Sequence, residues 1–295
     1  MKSRKRDTIL AWFFIFPATL AFAVFMFWPL IYTVYLSFLK WNMVAPVKKF
    51  VGIKNYIDIL EDKTTIQIIK NTVAYILILV IMNFIIPYIL AFVNTFIMKR
   101  GKGIYKTLLF IPSLISLVVG AIVLQWIFNP ISGPISAVLS KFGYTMPTWS
   151  RTKGLVIFVI SLAAVLKSFG YNFLVLLSGM GSVSDELIEA ARLEKTPDRT
   201  IFRKIVMPLT SSTAVYVLII SIVQGMQYVF TPIKVLTQGG PNNASSNIIY
   251  GVYQEAFGFY NTGKASALSI MAMLVFLVLL FLEFKYVEKG VYYEN

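Results

Sequence analysis

Residues 71–98 read NTVAYILILVIMNFIIPYILAFVNTFIM, 28 residues without an Asp, Glu, Lys or Arg. As a helix this run rises about 42 Å at roughly 1.5 Å per residue. A bilayer core of about 30 Å needs only about 20 apolar residues. The run stops abruptly at Lys99-Arg100-Gly101-Lys102, a short segment with no acid. An uncharged stretch of this length closed by a knot of cations suits lipid, not the interior of a soluble domain.

The same pattern recurs along the 295 residues. Thr8–Leu39, Thr107–Ser140, Ile205–Ile233 and Ala265–Leu282 carry no charge, and Gly154–Ser184 is interrupted only by Lys167. Six membrane-spanning helices are expected, roughly over 10–37, 71–98, 105–128, 154–180, 208–230 and 264–284. Apolar residues make up 58% and charged residues 14% of the chain, against about 45–50% and 25% in soluble domains. The first run far exceeds a signal-peptide core and should persist as an anchor. Another uncharged run, 235–254, holds Gly239-Gly240-Pro241-Asn242-Asn243 and reads as an extramembrane loop. The longest segment between spans, 231–264, is too short for a core of its own. The expectation is one all-α membrane domain over 1–295.

There are no cysteines and no histidines. Disulfides, thiolate metal sites, cysteine nucleophiles and histidine-based acid–base chemistry are thereby removed. The net charge of +14 could suggest nucleic acid, but the cations flank long uncharged runs, which points to membrane orientation instead. With the N-terminus inside, segments 1–8, 99–106, 181–207 and 285–295 hold 15 cations in 54 residues, and 40–70, 129–153 and 231–264 hold 11 in 90. Both termini are then cytoplasmic. Lys48, Lys49 and Lys54 on the outside run against this trend. Trp28, Trp41, Trp126 and Trp149 fall at or near the outer ends of spans, where interfacial aromatics sit.

Between spans four and five lies Ser184-Asp185-Glu186-Leu187-Ile188-Glu189-Ala190-Ala191-Arg192-Leu193-Glu194-Lys195. It reads as a short helix with Ser184 as its cap and two acids at the positive end of the dipole. Leu187, Ala190, Ala191 and Glu194 share a mostly small, apolar face. Thr196-Pro197-Asp198 is expected to start a second helix with Thr196 as cap. On the residues alone, this segment could equally be a solvated connector.

The segment resembles the cytoplasmic signature of permeases of ATP-driven, binding-protein-dependent importers: EAA, three residues, G, nine residues, I, one residue, LP. Here Glu189-Ala190-Ala191 is followed by Lys195 in place of the Gly, then Ile205 and Met207-Pro208. Phe50-Val51-Gly52-Ile53-Lys54-Asn55-Tyr56, Ile111-Pro112, Trp126, Phe128-Asn129-Pro130, Gly170-Tyr171-Asn172 and Leu236-Thr237-Gln238-Gly239-Gly240-Pro241 also resemble family patterns. The end, Phe284-Lys285-Tyr286-Val287-Glu288 with Val291 and Tyr292, is similar to carbohydrate and glycerol-3-phosphate permeases.

The resemblance implies six spans in the type I importer arrangement, in the cell (inner) membrane. It also implies a second permease, two ATPase subunits and an extracytoplasmic solute-binding protein as partners. ATP and Mg would sit on the ATPase, and this chain would bind no cofactor. The 184–206 hairpin would couple to the ATPase through Glu189, Ala190, Ala191, Arg192, Lys195, Ile205 and Pro208. The family's Gly takes a positive φ; Lys195 either does the same at a cost of about 1–2 kcal/mol or the turn differs.

Gly258-Phe259-Tyr260-Asn261-Thr262-Gly263-Lys264-Ala265 approaches the phosphate-loop pattern, but Ala265 lacks the hydroxyl that holds Mg and no strand is expected before it. The chain is not expected to be an enzyme. Within the spans, Lys167 is the one deep charge, and such residues usually face a cavity or a partner. It either lines a solute pathway or donates to backbone carbonyls of the partner permease. Tyr171, Asn172, Gln224, Gln227 and Tyr228 could bind a hydroxyl-rich solute or merely bond helices together. Solute import is the favoured function, of a sugar, oligosaccharide or sugar-phosphate. The alternative is a stand-alone secondary transporter or channel with Lys167 as coupling or gating group, although no acid lies deep in any span.

Overall fold

The computed structural model describes residues 2–286. The segment 287–295, with Val287, Glu288, Val291 and Tyr292, lies outside the described residues. Four helices are long and apolar enough to cross a bilayer: Trp12–Ser37, Lys63–Ile97, Leu155–Met180 and Ser211–Thr237. The sixth expected span falls on the helix Thr262–Tyr286, whose apolar part, Thr262–Val278, is shorter than these, so the described residues hold four helices of spanning length, or five if a bent pair counts as one.

The third expected span is not one rod. Lys102–Leu114 and Leu117–Ile127 meet at 99°. The break has a local cause. Ile115 and Ser116 are extended, with ψ of 140° and 151°, so the helix cannot run through them. Ser116 restarts it by accepting the Val119 N–H at 3.3 Å, as an N-cap does.

Pro17 lies inside an ordinary α-helix, and three other prolines are absorbed differently. The π-helical turns Ala23–Phe27, Ile81–Ile85 and Phe202–Val206 each end two residues before a proline, Pro29, Pro87 and Pro208. A proline has no N–H to donate and crowds the carbonyl one turn back. A π turn inserts one residue and takes up that mismatch without ending the helix.

The chain forms two compact units. One comprises the residues up to Asp62 with Val252–Leu274; the other comprises Lys63–Gly251 with the residues from Val275 on. In the larger unit the 155–180 helix is central. It packs on the 63–97 and 211–237 helices and on both halves of the bent pair, and Val156, Val159, Ile160, Ala164, Phe173 and Leu176 are fully buried along it. Close approach is bought by glycine: a Cβ on Gly170 would come within 2.7 Å of the Phe110 Cα, and one on Gly225 within 2.9 Å of the Ile76 Cα.

The segment expected as a loop over 235–254 is helical up to Thr237 and again from Ile248. What remains, 238–247, is folded in rather than solvated. Asn71 Nδ2 donates to the carbonyls of Asn243 (2.8 Å) and Ser246 (3.0 Å), and the Tyr75 hydroxyl donates to that of Ser245 at 2.8 Å. Ser245, Ser246 and Asn247 are buried. The polar sequence marks a turn, yet its carbonyls are satisfied by the 63–97 helix, which draws it inward.

In the smaller unit the 12–37 helix ends in a two-stranded antiparallel ribbon, Leu39–Lys40 against Lys49–Phe50. This is a small exception to the helical pattern. The F-x-G-x-x-N-Y segment explains itself here. Gly52 turns with φ of 59°, and buried Asn55 donates to the carbonyls of Ser37 (2.7 Å) and Leu39 (2.9 Å). Trp149 is buried rather than interfacial, whereas Trp28 and Trp126 are exposed.

Candidate functional site

Two features of the larger unit bear on function. The first is a pocket of about 430 Å³ lined by Ser113, Lys167, Ser168, Tyr171, Tyr216, Gln224 and Tyr228, among others. Helical spacing assembles it. Lys167 and Tyr171 lie one turn apart on the 155–180 helix. Tyr216, Ile220, Gln224 and Tyr228 recur every four residues on the 211–237 helix, so they form one stripe.

Lys167 is half-buried and donates to the Ser113 carbonyl at 3.0 Å. One of its acceptors therefore belongs to its own chain. The bend after Leu114 leaves that carbonyl without the following helical turn, and the ammonium occupies its lone pair. The other donor positions of Lys167 remain on the pocket. Tyr171 and Tyr216 are about half-exposed and their hydroxyls neighbour each other.

Asn172 is not in the lining. It is fully buried, and its Nδ2 donates to the Asn83 carbonyl (2.9 Å), Ser221 Oγ (3.1 Å) and Gln224 Oε1 (3.1 Å). It joins three helices from behind and pairs with both ends of the Gln224 amide, whose Nε2 donates back to Asn172 Oδ1 at 3.3 Å. Gln227 is exposed and off the stripe. Tyr216 was not among the expected residues, although extending the Gln224–Tyr228 spacing backward by two turns reaches it.

The second feature is the helix Asp185–Leu193. Ser184 Oγ accepts the Leu187 N–H at 3.4 Å, with Asp185 and Glu186 in the first turn. At its end Lys195 has φ of 59°. The Lys195 N–H bonds the Arg192 carbonyl at 2.9 Å and the Thr196 N–H bonds that of Ala191 at 3.0 Å. These two bonds define a Schellman turn with Lys195 at the left-handed position usually held by glycine. The turn is thus kept despite the substitution. The next helix, Asp198–Ile201, is capped by extended Pro197 and not by Thr196.

The helix shows two faces. Ile188 and Ala191 are buried in a cluster with Phe92, Phe96, Ile201 and Val206, against which Ile205 also packs. Ala191 therefore faces its own chain, not a partner. Leu187, Glu189, Ala190, Leu193 and Glu194 are exposed, Leu193 to 86%. Arg192 is also committed internally: Nη2 donates to the Phe96 carbonyl at 2.6 Å and lies 3.5 Å from the Asp198 carboxylate. Pro208 is half-buried behind its π turn.

The phosphate-loop lookalike is occupied by protein. Lys264 Nζ lies 2.8 Å from Glu255 and 3.4 Å from Asp62, and a Cβ on Gly263 would collide with the Leu39 carbonyl.

Comparison with known proteins supplies the context. The family described as binding-protein-dependent transport system inner membrane component matches residues 88–291. The chain is 28% identical over 287 residues to the sn-glycerol-3-phosphate transport system permease protein UgpA of Agrobacterium fabrum (strain C58 / ATCC 33970), covering 97% of each. It is 29% identical over 290 residues to that of Brucella abortus biovar 1 (strain 9-941), again covering 97% of each. Among solved structures, a chain of a bacterial ABC transporter involved in the import of the acidic polysaccharide alginate superposes with a TM-score of 0.83 at 20% identity, over 98% of each chain. A chain of the MetNI methionine ABC transporter gives 0.56 at 14% identity, over 77% of this chain and 96% of that one.

Proposed function

Because the chain belongs to the family of binding-protein-dependent transport system inner membrane components, we propose that its pocket receives an anionic, hydroxyl-rich solute, such as a sugar-phosphate or acidic oligosaccharide. Membership removes the alternative of a stand-alone secondary transporter or channel. The observation that carries the proposal is the lining itself: one ammonium, three phenols and one fixed amide around about 430 Å³. An ammonium answers a phosphate or carboxylate. The phenols offer donors, acceptors and ring faces to hydroxyls, and the paired amide gives them a polar backing. Glycerol-3-phosphate, named for the relatives in sequence, has this chemistry, as does the alginate named for one of the neighbours in fold, whereas the methionine named for the other does not.

In this reading the chain works in the cell membrane with both termini cytoplasmic. It pairs with a second permease and two ATPase subunits, and a solute-binding protein delivers the cargo. ATP and Mg belong to the ATPase, and no cofactor belongs to this chain. The exposed face of the 185–193 helix, with Glu189 and Ala190, docks on the ATPase. The buried face and Arg192 pass its movement to the 63–97, 155–180 and 211–237 helices, which changes the side from which the pocket is open.

The test is reconstitution. Copurification with a second permease and an ATPase, and uptake of an anionic sugar derivative that stops without ATP, are expected. Uptake by the chain alone, or equal uptake of the neutral analogue at the same concentration, would overturn the reading.

A further inference from the structure

The lysines at the far end of the first span take no part in the foregoing. A pocket of about 340 Å³ in the smaller unit is lined by Lys40, Lys49, Lys54 and Lys264, with Trp41, Asn55, Asn261 and one acid, Asp58, beside them. Lys264 is neutralised by Glu255 and Asp62. Neighbouring Lys48 is held by aromatics: it donates to the Tyr32 hydroxyl at 2.6 Å and lies 4.4 Å over the Trp41 ring. Lys40, Lys49 and Lys54 form no ion pair among the described residues.

Lys40 and Lys49 are directly opposed across the ribbon. Like charges in that register destabilise a strand pair. An anion seated between them turns the repulsion into attraction.

The surroundings indicate where the anion comes from. The ribbon begins two residues after Ser37, the end of an apolar helix whose spanning stretch is not buried by the protein. Around the lysines, Val44, Val47, Phe50 and Ile53 are 64–80% exposed. Cations interleaved with exposed apolar side chains and a tryptophan are the composition of a surface seated at the headgroup layer. A soluble acidic partner would need the cations alone.

We propose that this pocket binds the phosphate of an anionic phospholipid headgroup, with Lys40 and Lys49 clamping it from the two strands and Lys54 closing the third side. The site fixes the depth and rotation of the first span at that membrane surface.

Native mass spectrometry of the full chain in mixed micelles tests this. Phosphatidylglycerol should be retained over phosphatidylcholine. The preference should fall roughly fivefold for each of Lys40→Gln, Lys49→Gln and Lys54→Gln, about the worth of one cation near an anionic surface. Lys153→Gln, on another loop, should change nothing, and millimolar inorganic phosphate should not displace the lipid. Thermal melting checks the fold of each variant, and the change at exposed Lys49 decides the matter if either of the other two fails to fold. Equal retention of the two lipids, or an unchanged preference in the variants, would overturn the proposal. Displacement by inorganic phosphate would reassign the pocket to a free anion. Loss of solute-binding-protein association without any change in lipid retention would reassign it to a protein contact.

Discussion

At the residue scale, Lys195 shows how a motif can change its letters and keep its shape. A left-handed backbone costs a side-chain-bearing residue about 1–2 kcal/mol, and Lys195 occupies one, with φ of 59°. Lys195→Gly removes that strain but returns about 0.5–1 kcal/mol through the freer unfolded chain. A net stabilisation of about 0.5–1 kcal/mol is expected, read as a small rise in the melting temperature of the purified protein. Lys195→Ala, which keeps the strain, should show none; equal effects would refute the account. Lys167 is tested in the same spirit. Its bond to the Ser113 carbonyl is a neutral acceptor's bond, worth about 1.5–3 kcal/mol at most, so Lys167→Met should leave a folded protein. Half-saturation for an anionic solute should rise at least tenfold, with little change for a neutral analogue. A lower melting temperature with unchanged transport would make Lys167 purely structural.

At the scale of the element, the 185–193 helix has an inner face that belongs to the fold and an outer face that is free to dock. Glu189 is on the outer face, so Glu189→Ala should change intrinsic stability by no more than about 0.5 kcal/mol. If the carboxylate is buried against the ATPase, its loss removes one side of a charged contact, about 2–5 kcal/mol. The purified complex should then hold less ATPase, or hydrolyse ATP without stimulation by the loaded binding protein. Parental transport with full ATPase occupancy would retire the docking role. The 238–247 segment behaves in the opposite way: it looks like a free loop and is clasped. Tyr75→Phe strips the donor from the buried Ser245 carbonyl, a loss of about 1–3 kcal/mol. Earlier hydrogen exchange at 238–247 than in the parent is the expected readout; parental exchange would show the clasp to be idle.

For the whole molecule, what could be read ahead of the structure follows the range of the forces involved. The four unbroken spans were visible because membrane insertion is decided locally, run by run. The Schellman turn at Lys195 was visible as one of two options because its geometry is set by neighbouring residues. The 99° break was not, since Pro112 alone does not distinguish a broken span from the π turn that accommodates Pro87. Neither was the direction of Ala191: on a nine-residue helix Leu187, Ala190, Ala191 and Glu194 look equally plausible as a face, and the choice went to Ile188 and Ala191 because Phe92 and Phe96 wait there. Arg192 bonds a carbonyl 96 residues away, and no spacing announces that. The pocket was half legible. Lys167, Tyr171, Gln224 and Tyr228 lay on periodic stripes; Tyr216 lay on the same stripe two turns earlier, while Asn172 turned its amide away into the helix junction.

The 63–97 helix carries two π turns, Ile81–Ile85 and Val93–Ile97, with Ile86–Phe92 between them. Each is one residue of slack wound into the helix. The piece between them is gripped by its neighbours, with Pro87, Tyr88, Ala91 and Phe92 buried, so handing the surplus from one end to the other would have to repack that face. Arg192 is hooked to the Phe96 carbonyl, inside the second of these turns, and Tyr88 on the piece between them is bonded to Thr210 at 2.6 Å. A pull on the 185–193 helix is thus delivered to a turn that holds one residue of slack, not to a regular helical strut.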